Sequence, residues 1–202
     1  TVLGRRYRQD GEAQGEAILR DLANHPATAR HIAVKLARHF AGDEPPPSLV
    51  ARLEQVFLSS GGDLPTLYRA LINAPEPWTT PPKFRTPWDW TLAALRAVGI
   101  DSLPALLSAG ALNQLGQPVW RPGSPAGWDD TDPSWAGPDA LYRRVEVAER
   151  IASRTAPLDA RDLAEQLFPG TLSEATRGTI AGAESPTQAL ALLLAAPEML
   201  RR

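Results

Sequence analysis

Residues 26–40 read PATARHIAVKLARHF, and this stretch decides the fold class. Its apolar residues recur at intervals of three and four positions: Ala29, Ile32, Ala33, Leu36 and Phe40. Residues at these intervals share one face of an α-helix. Pro26 suits the first turn of a helix, where a missing backbone N–H costs nothing. The stretch therefore predicts an amphipathic helix over residues 26–40.

The flanking sequence repeats this pattern between proline and glycine breaks. Asp63 and Thr86 are suited to cap the helices that follow them, because their side chains accept hydrogen bonds from free backbone N–H groups. Helices are predicted over these ranges: Gly11–Asn24, Ser48–Ser60, Leu64–Asn73, Pro87–Gly99, Leu103–Ser108, Gly110–Leu115, Asp139–Arg154, Asp159–Leu167, Ser173–Ala181 and Ser185–Ala196. No segment alternates as a strand would. We predict an all-α, irregular multi-helix bundle of about 8–10 helices with one long Trp/Pro-rich loop over residues 116–138.

Composition narrows the class of protein further. The 202 residues are 43% hydrophobic and 22% charged, as in a globular domain. We predict one helical domain over residues 1–202, with sublobes at 1–99 and 100–202 as an alternative division. The net charge of −2 gives no field that would attract nucleic acid. The apolar run near Ala189–Ala196 is too short to span a bilayer, so no transmembrane segment is predicted.

Two distant segments resemble each other. Asp63 precedes a helix that ends in Ala74-Pro75-Glu76, and Ser185 precedes one that ends in Ala196-Pro197-Glu198. One interpretation is a duplicated helical hairpin. The other is that a good cap, a leucine-rich helix and a proline stop recur independently.

Several motifs resemble one known family. They are HPATARHIAVKLA (25–37), GGDL (61–64), KFRTP (83–87), LGQPVWRP (115–122), SPAGW (124–128) and APE (196–198). In this order they are similar to the DUF1800 family of bacterial proteins, which is defined as of unknown function. The resemblance implies the carboxy-terminal part of a larger protein, with an amino-terminal helical half as a partner. It also implies a cell-envelope or secreted location, and it supplies no catalytic residues.

The long loop contains the first candidate binding residues: Trp120, Arg121, Trp128, Asp129, Asp130, Asp132 and Trp135. Tryptophan rings beside carboxylates are typical of carbohydrate sites, and long irregular loops are often functional. The alternative is that at least two of the three rings attach the loop to the helices, since each ring buries on the order of 200 Å². The Asp130-x-Asp132 pair is a weak signal for a hard cation such as calcium.

The second candidate is the polar face of the 26–40 helix, with Arg30, His31, Lys35 and Arg38, and with His39 beside them. These residues could bind an anion, dock the amino-terminal half, or form a solvated face. The spacing of His31 and His39 is too wide for one chelate. A second polar face, with Glu146 and Glu149 among Arg143, Arg144 and Arg150, is interpreted as solvated and ion-paired.

No motif for a catalytic nucleophile, a bound nucleotide, a cofactor or a metal ion is present in the sequence. The leading hypothesis is a non-enzymatic helical interaction domain within a larger bacterial protein. The rival hypothesis is an enzyme or binding domain that acts on polysaccharide, with the acids of the loop beside Trp120 and Trp128. An enzyme requires a concave pocket with perturbed carboxylates, whereas a docking surface has an apolar centre and a charged rim.

Overall fold

The computed structural model describes residues 1–100 and 105–202, and for residues 105–109 it describes the backbone alone. These residues form twelve α-helices and no strand, which confirms the all-α prediction. The helices are α1 (Glu12–Ala23), α2 (Pro26–Ala41), α3 (Pro47–Ser59), α4 (Leu64–Ile72), α5 (Glu76–Thr79), α6 (Pro87–Ala97), α7 (Ala105–Gln114), α8 (Pro138–Ala152), α9 (Ala160–Leu167), α10 (Glu174–Ala181), α11 (Pro186–Leu194) and α12 (Pro197–Leu200). The four-residue helices α5 and α12 were not predicted.

Side-chain caps set where the helices begin. Asp63 accepts a hydrogen bond from the backbone N–H of Thr66, and Thr86 accepts one from Asp89, as predicted. The caps His25, Asp159, Ser173 and Ser185 act in the same way on α2, α9, α10 and α11. Each cap satisfies a donor that the first helical turn leaves free, and this stabilises the helix by about 1 kcal/mol. The predicted start at Leu103 lies outside the described residues, and over the described residues 105–115 the two predicted helices are one continuous helix, α7.

The chain divides into two compact units, Thr1–Pro81 and Pro82–Arg202. The division falls between Pro81 and Pro82, inside a proline-rich stretch over residues 75–87.

In the first unit α2 packs against α3, and α3 against α4. The predicted core stripe of α2 is partly wrong. Its fully buried residues are all alanines spaced four apart: Ala29, Ala33, Ala37 and Ala41. Ile32 and Leu36 are half-buried, and Phe40 is 53% exposed. The small side chains of the alanines permit close packing of α2 on the larger core residues of α3, Leu49, Leu53 and Phe57.

The first helix is only partly covered. Ala17, Ile18, Leu19 and Leu22 are the apolar positions on which the prediction of α1 rests, and none of them is fully buried. Leu19 is 69% exposed. Ala17, Ile18 and Leu22 are half-buried, so α2 and the residues before α1 cover its apolar side only in part.

In the second unit α6, α8, α9, α10 and α11 enclose the core. Residues 83–85 pair with residues 200–202 in antiparallel fashion through three backbone hydrogen bonds. Lys83 N–H donates to Arg202 O (2.9 Å), Arg202 N–H to Lys83 O (2.8 Å) and Arg85 N–H to Leu200 O (2.8 Å). This pairing fixes the end of the chain beside the KFRTP motif.

The two similar segments of the sequence have the same local structure. Both α4 and α11 have nine residues, and a four-residue helix follows each of them. The glutamate of each Ala-Pro-Glu sequence accepts hydrogen bonds from the helix that precedes this pair of helices, α3 in the first case and α10 in the second. Glu76 accepts a hydrogen bond from Ser48 Oγ of α3 (3.0 Å). Glu198 accepts bonds from Ser173 N–H (2.9 Å) and Thr176 Oγ1 of α10. This shared closure extends the similarity beyond the residues that suggested a duplication.

Candidate functional site

An apolar groove lies in the first unit between α2, α4 and α5. It encloses about 610 Å³, which is within the range of protein ligand clefts, about 300–1,000 Å³. Leu36, His39, Phe40, Tyr68, Leu71, Ile72, Pro77 and Trp78 line it. Five of these eight side chains are hydrocarbon only, and none is acidic. We call this feature the apolar groove.

The walls of the apolar groove carry large side chains that are exposed to solvent. Trp78 is 73% exposed, Ile72 60% and Tyr68 46%. Together with Phe40 they surround one concave feature. Clustered apolar side chains of this size on a folded protein mark a contact site more often than scattered ones do. Sequence reasoning missed the groove because it assigned Phe40 to the core and left Trp78 in an irregular segment.

Hydrogen bonds fix the shape of the apolar groove. Trp78 Nε1–H donates to the carbonyl of Ile72 (3.0 Å), which holds the indole of α5 against the end of α4. Glu76 accepts hydrogen bonds from Ser48 Oγ (3.0 Å) and Arg52 Nη1 (3.2 Å), which fasten α5 to α3. A hydrogen bond from its own backbone N–H, together with these partners, holds the pKa of Glu76 below its usual value. The aromatic wall is therefore formed before any partner arrives.

The predicted basic face of α2 does not act as one cluster. Arg30 Nη1 donates to Glu54 of α3 (3.2 Å), and Arg38 Nε donates to the carbonyl of Asp43 (3.1 Å). His31 and Lys35 are exposed. His39 lies in the apolar groove, where its ring meets the Phe40 ring edge-on at 4.7 Å between centroids.

The tryptophans of the long loop have three different environments. Trp135 is buried, and its Nε1–H donates to the carbonyl of Asp129 (3.0 Å). Trp128 is half-buried, with its ring centroid 6.2 Å from that of Trp135. Trp120 is 94% exposed and has a backbone φ of 58°, an uncommon conformation for a bulky residue. Arg121 beside it is exposed and donates to Asn113 Oδ1 (3.3 Å).

The acids of the loop bond to the second unit itself. Asp129 accepts a hydrogen bond from Ser134 Oγ (3.0 Å). The carbonyl of Asp130 accepts one from Lys83 Nζ. Asp132 accepts one from Phe84 N–H (3.0 Å) and forms an ion pair with Arg201 (3.3 Å). These bonds join the loop to the KFRTP motif and to the end of the chain.

Arg144 of α8 contradicts the prediction of a solvated face, because it is only 1% exposed. Its guanidinium lies 4.4 Å from the Phe84 ring centroid and 5.9 Å from that of Trp90, and Nη2 donates to the carbonyl of Arg85 (2.8 Å). The nitrogens Nε and Nη1 are buried and make no hydrogen bond to the described residues. Burial lowers the pKa of Arg144 to about 10. A single polar neighbour therefore holds a buried cation between two aromatic rings.

The other charged residues of α8 lie against α7. Arg143 pairs with Asp139 (2.8 Å) and donates to the carbonyl of Gln114 (2.9 Å). The Gln114 side chain bonds to Glu146 and to Arg150, each at 2.8 Å. On the apolar side of α8, Val147, Ala148 and Ile151 are buried, whereas Val145 is 42% exposed.

Two further classes of site are not found in the described part of the chain. No group of three or more His, Asp or Glu side chains there could hold a metal ion. No helix there is long and apolar enough to cross a bilayer.

His25, which was expected to be partly buried and bonded to backbone, is exposed and accepts a hydrogen bond from Ala27 N–H (3.1 Å) as the cap of α2.

The fold and its sites define an all-helical protein with a preformed apolar groove. Residues 1–201 match a family model described as "Protein of unknown function (DUF1800)", and the chain belongs to that family. No curated protein matches the chain, and no solved structure does either.

Proposed function

We propose that this chain is a non-enzymatic helical interaction domain of a larger bacterial protein, and that it holds a protein segment in the apolar groove. One observation carries the proposal: Phe40, Tyr68, Ile72 and Trp78 are exposed together on one preformed concave surface. Leaving these side chains in water has a cost that burial against a partner would remove, about 25 cal/mol for each Å² covered.

The distribution of charge around the apolar groove supports the same function. Protein contact sites combine an apolar centre, rich in aromatic residues, with a charged or polar rim. The apolar groove has such a centre, and the exposed residues Lys35 and Arg69 are next to its lining residues in sequence. The acids of the long loop are instead bonded within the second unit, an arrangement that favours a structural role for them over acid–base chemistry.

A random peptide library selected against the whole chain tests this proposal. We expect the selected peptides to bind in the apolar groove, so that Ile72→Asp abolishes their binding. Leu19→Asp is the matched control. Like Ile72, Leu19 is a large aliphatic residue of the first unit that is exposed to solvent, but it lies on α1, outside the groove. Circular dichroism of both variants verifies that they are folded. Peptides that bind Ile72→Asp as well as the wild type would contradict the proposal.

A second function, contact with carbohydrate, is favoured by the 94% exposure of Trp120. A ring so exposed is free to stack on a sugar, and Arg121 could bond the hydroxyls of that sugar. Titration with soluble polysaccharides, followed by tryptophan fluorescence, tests it with Trp120→Ala and Trp128→Ala. A saturable change that Trp120→Ala removes would favour the carbohydrate function. A flat response with every polysaccharide would eliminate it.

A further inference from the structure

We infer that the segment held in the apolar groove is an amphipathic α-helix whose polar face is acidic. This inference rests on the proposed function and names the chemistry of the partner. It follows from three features of the first unit: the hydrogen-bonding capacity of the groove, its walls, and the charges beside it.

The groove has little to offer an extended peptide. An extended segment brings backbone N–H and C=O groups that need partners, whereas a helix satisfies its own. Aromatic grooves that bind extended proline-rich segments use aromatic side chains that also donate hydrogen bonds. Here the indole N–H of Trp78 is already bonded to the Ile72 carbonyl, so the polar side-chain groups that remain in the lining are the Tyr68 hydroxyl and the His39 ring. Two such groups are fewer than the backbone of an extended segment requires. The described residues also contain no strand whose edge an extended partner could join.

The walls of the groove suit a helix. They are formed by two helices, α2 and α4, with the short helix α5 beside them. A third helix inserts a ridge of side chains into a groove of this kind, with anchors one turn apart at positions i, i+3 or i+4, and i+7. A volume of about 610 Å³ can receive several such side chains. Leu36 and Leu71 form the apolar floor of the groove. This floor can pack against apolar side chains of the partner but has no polar group that could bind a charged one.

The charge beside the groove is positive. Arg30 and Arg38 of α2 bond to Glu54 and to the carbonyl of Asp43, so Lys35 is the α2 cation that matters for the groove. Lys35 and His39 are four positions apart and therefore on the same side of α2, and His39 lines the groove. Arg69 follows the lining residue Tyr68 on α4 and is exposed. A helix in the groove would have its polar face near Lys35 and Arg69, so acidic residues on that face would be attracted and basic ones repelled.

Three synthetic peptides of about 18 residues test the inference on the whole chain, a length at which an isolated helix becomes marginally stable. All three share one leucine stripe, and their polar faces carry glutamate, lysine or glutamine. At low ionic strength we expect the glutamate peptide to bind about 10-fold or more tightly than the lysine peptide, with the glutamine peptide between them, and the difference to shrink as salt is added. Fluorescence anisotropy of labelled peptides gives the dissociation constants.

Protein variants assign the binding to the groove and to its charges. We expect Ile72→Asp to abolish binding of all three peptides and Leu19→Asp to leave it unchanged. Lys35→Glu changes an exposed side chain. It should reduce the preference for the glutamate peptide over the lysine peptide without removing binding of the glutamine peptide. Circular dichroism of each variant and of each bound peptide reports folding and helix formation.

The outcomes separate the inference from the proposed function. If the lysine peptide bound as tightly as the glutamate peptide or more tightly, and Ile72→Asp abolished that binding, the acidic polar face would be refuted. The groove would remain a binding site. Selected peptides that bind the groove in a non-helical form would also overturn the helix. Binding to anionic lipid vesicles with no binding of any peptide would overturn it in favour of a membrane surface. Peptides that bind equally to wild type and Ile72→Asp would contradict the proposed function as well.

Discussion

Replacing Arg144 by methionine should leave the stability of the second unit almost unchanged, although Arg144 is buried in its core. Methionine is flexible and apolar, and it can occupy the space of the arginine stem between Phe84 and Trp90. Replacing a buried charge by an apolar residue of similar size is often neutral or stabilising. Arg144→Ala, which leaves a cavity, should instead cost about 2–5 kcal/mol.

The magnitude follows from the contacts of the guanidinium. Burial lowers the pKa of Arg144 from the ordinary value of arginine to about 10. At about 1.4 kcal/mol for each pH unit, this corresponds to about 3 kcal/mol of lost hydration. Against it stand two ring contacts, each contributing about 1 kcal/mol, and a charge-assisted hydrogen bond to Arg85 O of about 1.5 kcal/mol. The gains and the cost nearly cancel, so Arg144→Met should change the free energy of unfolding by less than about 1 kcal/mol.

Raising the pH should favour the wild type over Arg144→Met. The folded state disfavours the charged guanidinium, so its full cost is present below pH 10 and is relieved as the pH rises above about 10 toward the ordinary pKa of arginine. Between pH 8 and pH 11 the wild type should gain about 1.4 kcal/mol relative to Arg144→Met.

Guanidinium unfolding curves followed by circular dichroism measure both effects. The slope of each curve must be compared as well, because two compact units need not unfold in one step. A loss of more than about 3 kcal/mol in Arg144→Met at neutral pH would refute the reasoning, since the cation would then be a net stabiliser. A difference that moves against the wild type as the pH rises would refute it too.

Three further predictions concern other parts of the fold. Ala33→Leu should destabilise the first unit by about 1–3 kcal/mol in thermal unfolding, because α2 and α3 have no room for a larger side chain, and a neutral result would contradict the close packing. Trp120→Gly should raise the free energy of unfolding by about 1 kcal/mol by relieving the positive φ, and a decrease would show that the ring has a stabilising contact. The pKa of Glu198 lies below its usual value because hydrogen bonds from Ser173 and Thr176 outweigh desolvation, so its contribution is present above about pH 4.5 and lost as the pH falls through the folded pKa. Glu198→Gln should therefore flatten the acid side of the stability–pH profile, and an unchanged profile would contradict this assignment.

The helices were predictable because their signals are local. Asp63 and Thr86 stand before apolar periodic segments, and their caps depend on the chain within three residues. The boundaries of α2, α4 and α6 were therefore close to the prediction. The short helices α5 and α12 were missed because four residues are too few to show periodicity.

Burial was less predictable than helix position, since it depends on neighbours that are distant in sequence. Phe40 was placed on the apolar stripe of α2 because its spacing from Leu36 and Ala33 is helical, but the buried side of α2 is a row of alanines that does not include it. Arg144 was assigned to the surface because it stands among acidic and basic residues at the spacing of a solvated, ion-paired helix face. No feature of α8 alone indicates the rings of Phe84 and Trp90.

The same distance in sequence explains why the candidate site was missed. The apolar groove combines residues from three helices, and one of these helices was not predicted. The basic residues of α2 were identified, but their separate partners, Glu54 and Asp43, became apparent only in three dimensions.

The alanine stripe has a consequence for how the surface of the first unit can evolve. Because α2 is held to α3 by side chains of a single methyl group, its bulkiest exposed residues are not needed for that attachment. Positions 39 and 40 can then exchange one side chain for another with little effect on folding. Related chains could in this way change the partner that they select while they keep an identical scaffold, so that specificity diverges faster than architecture.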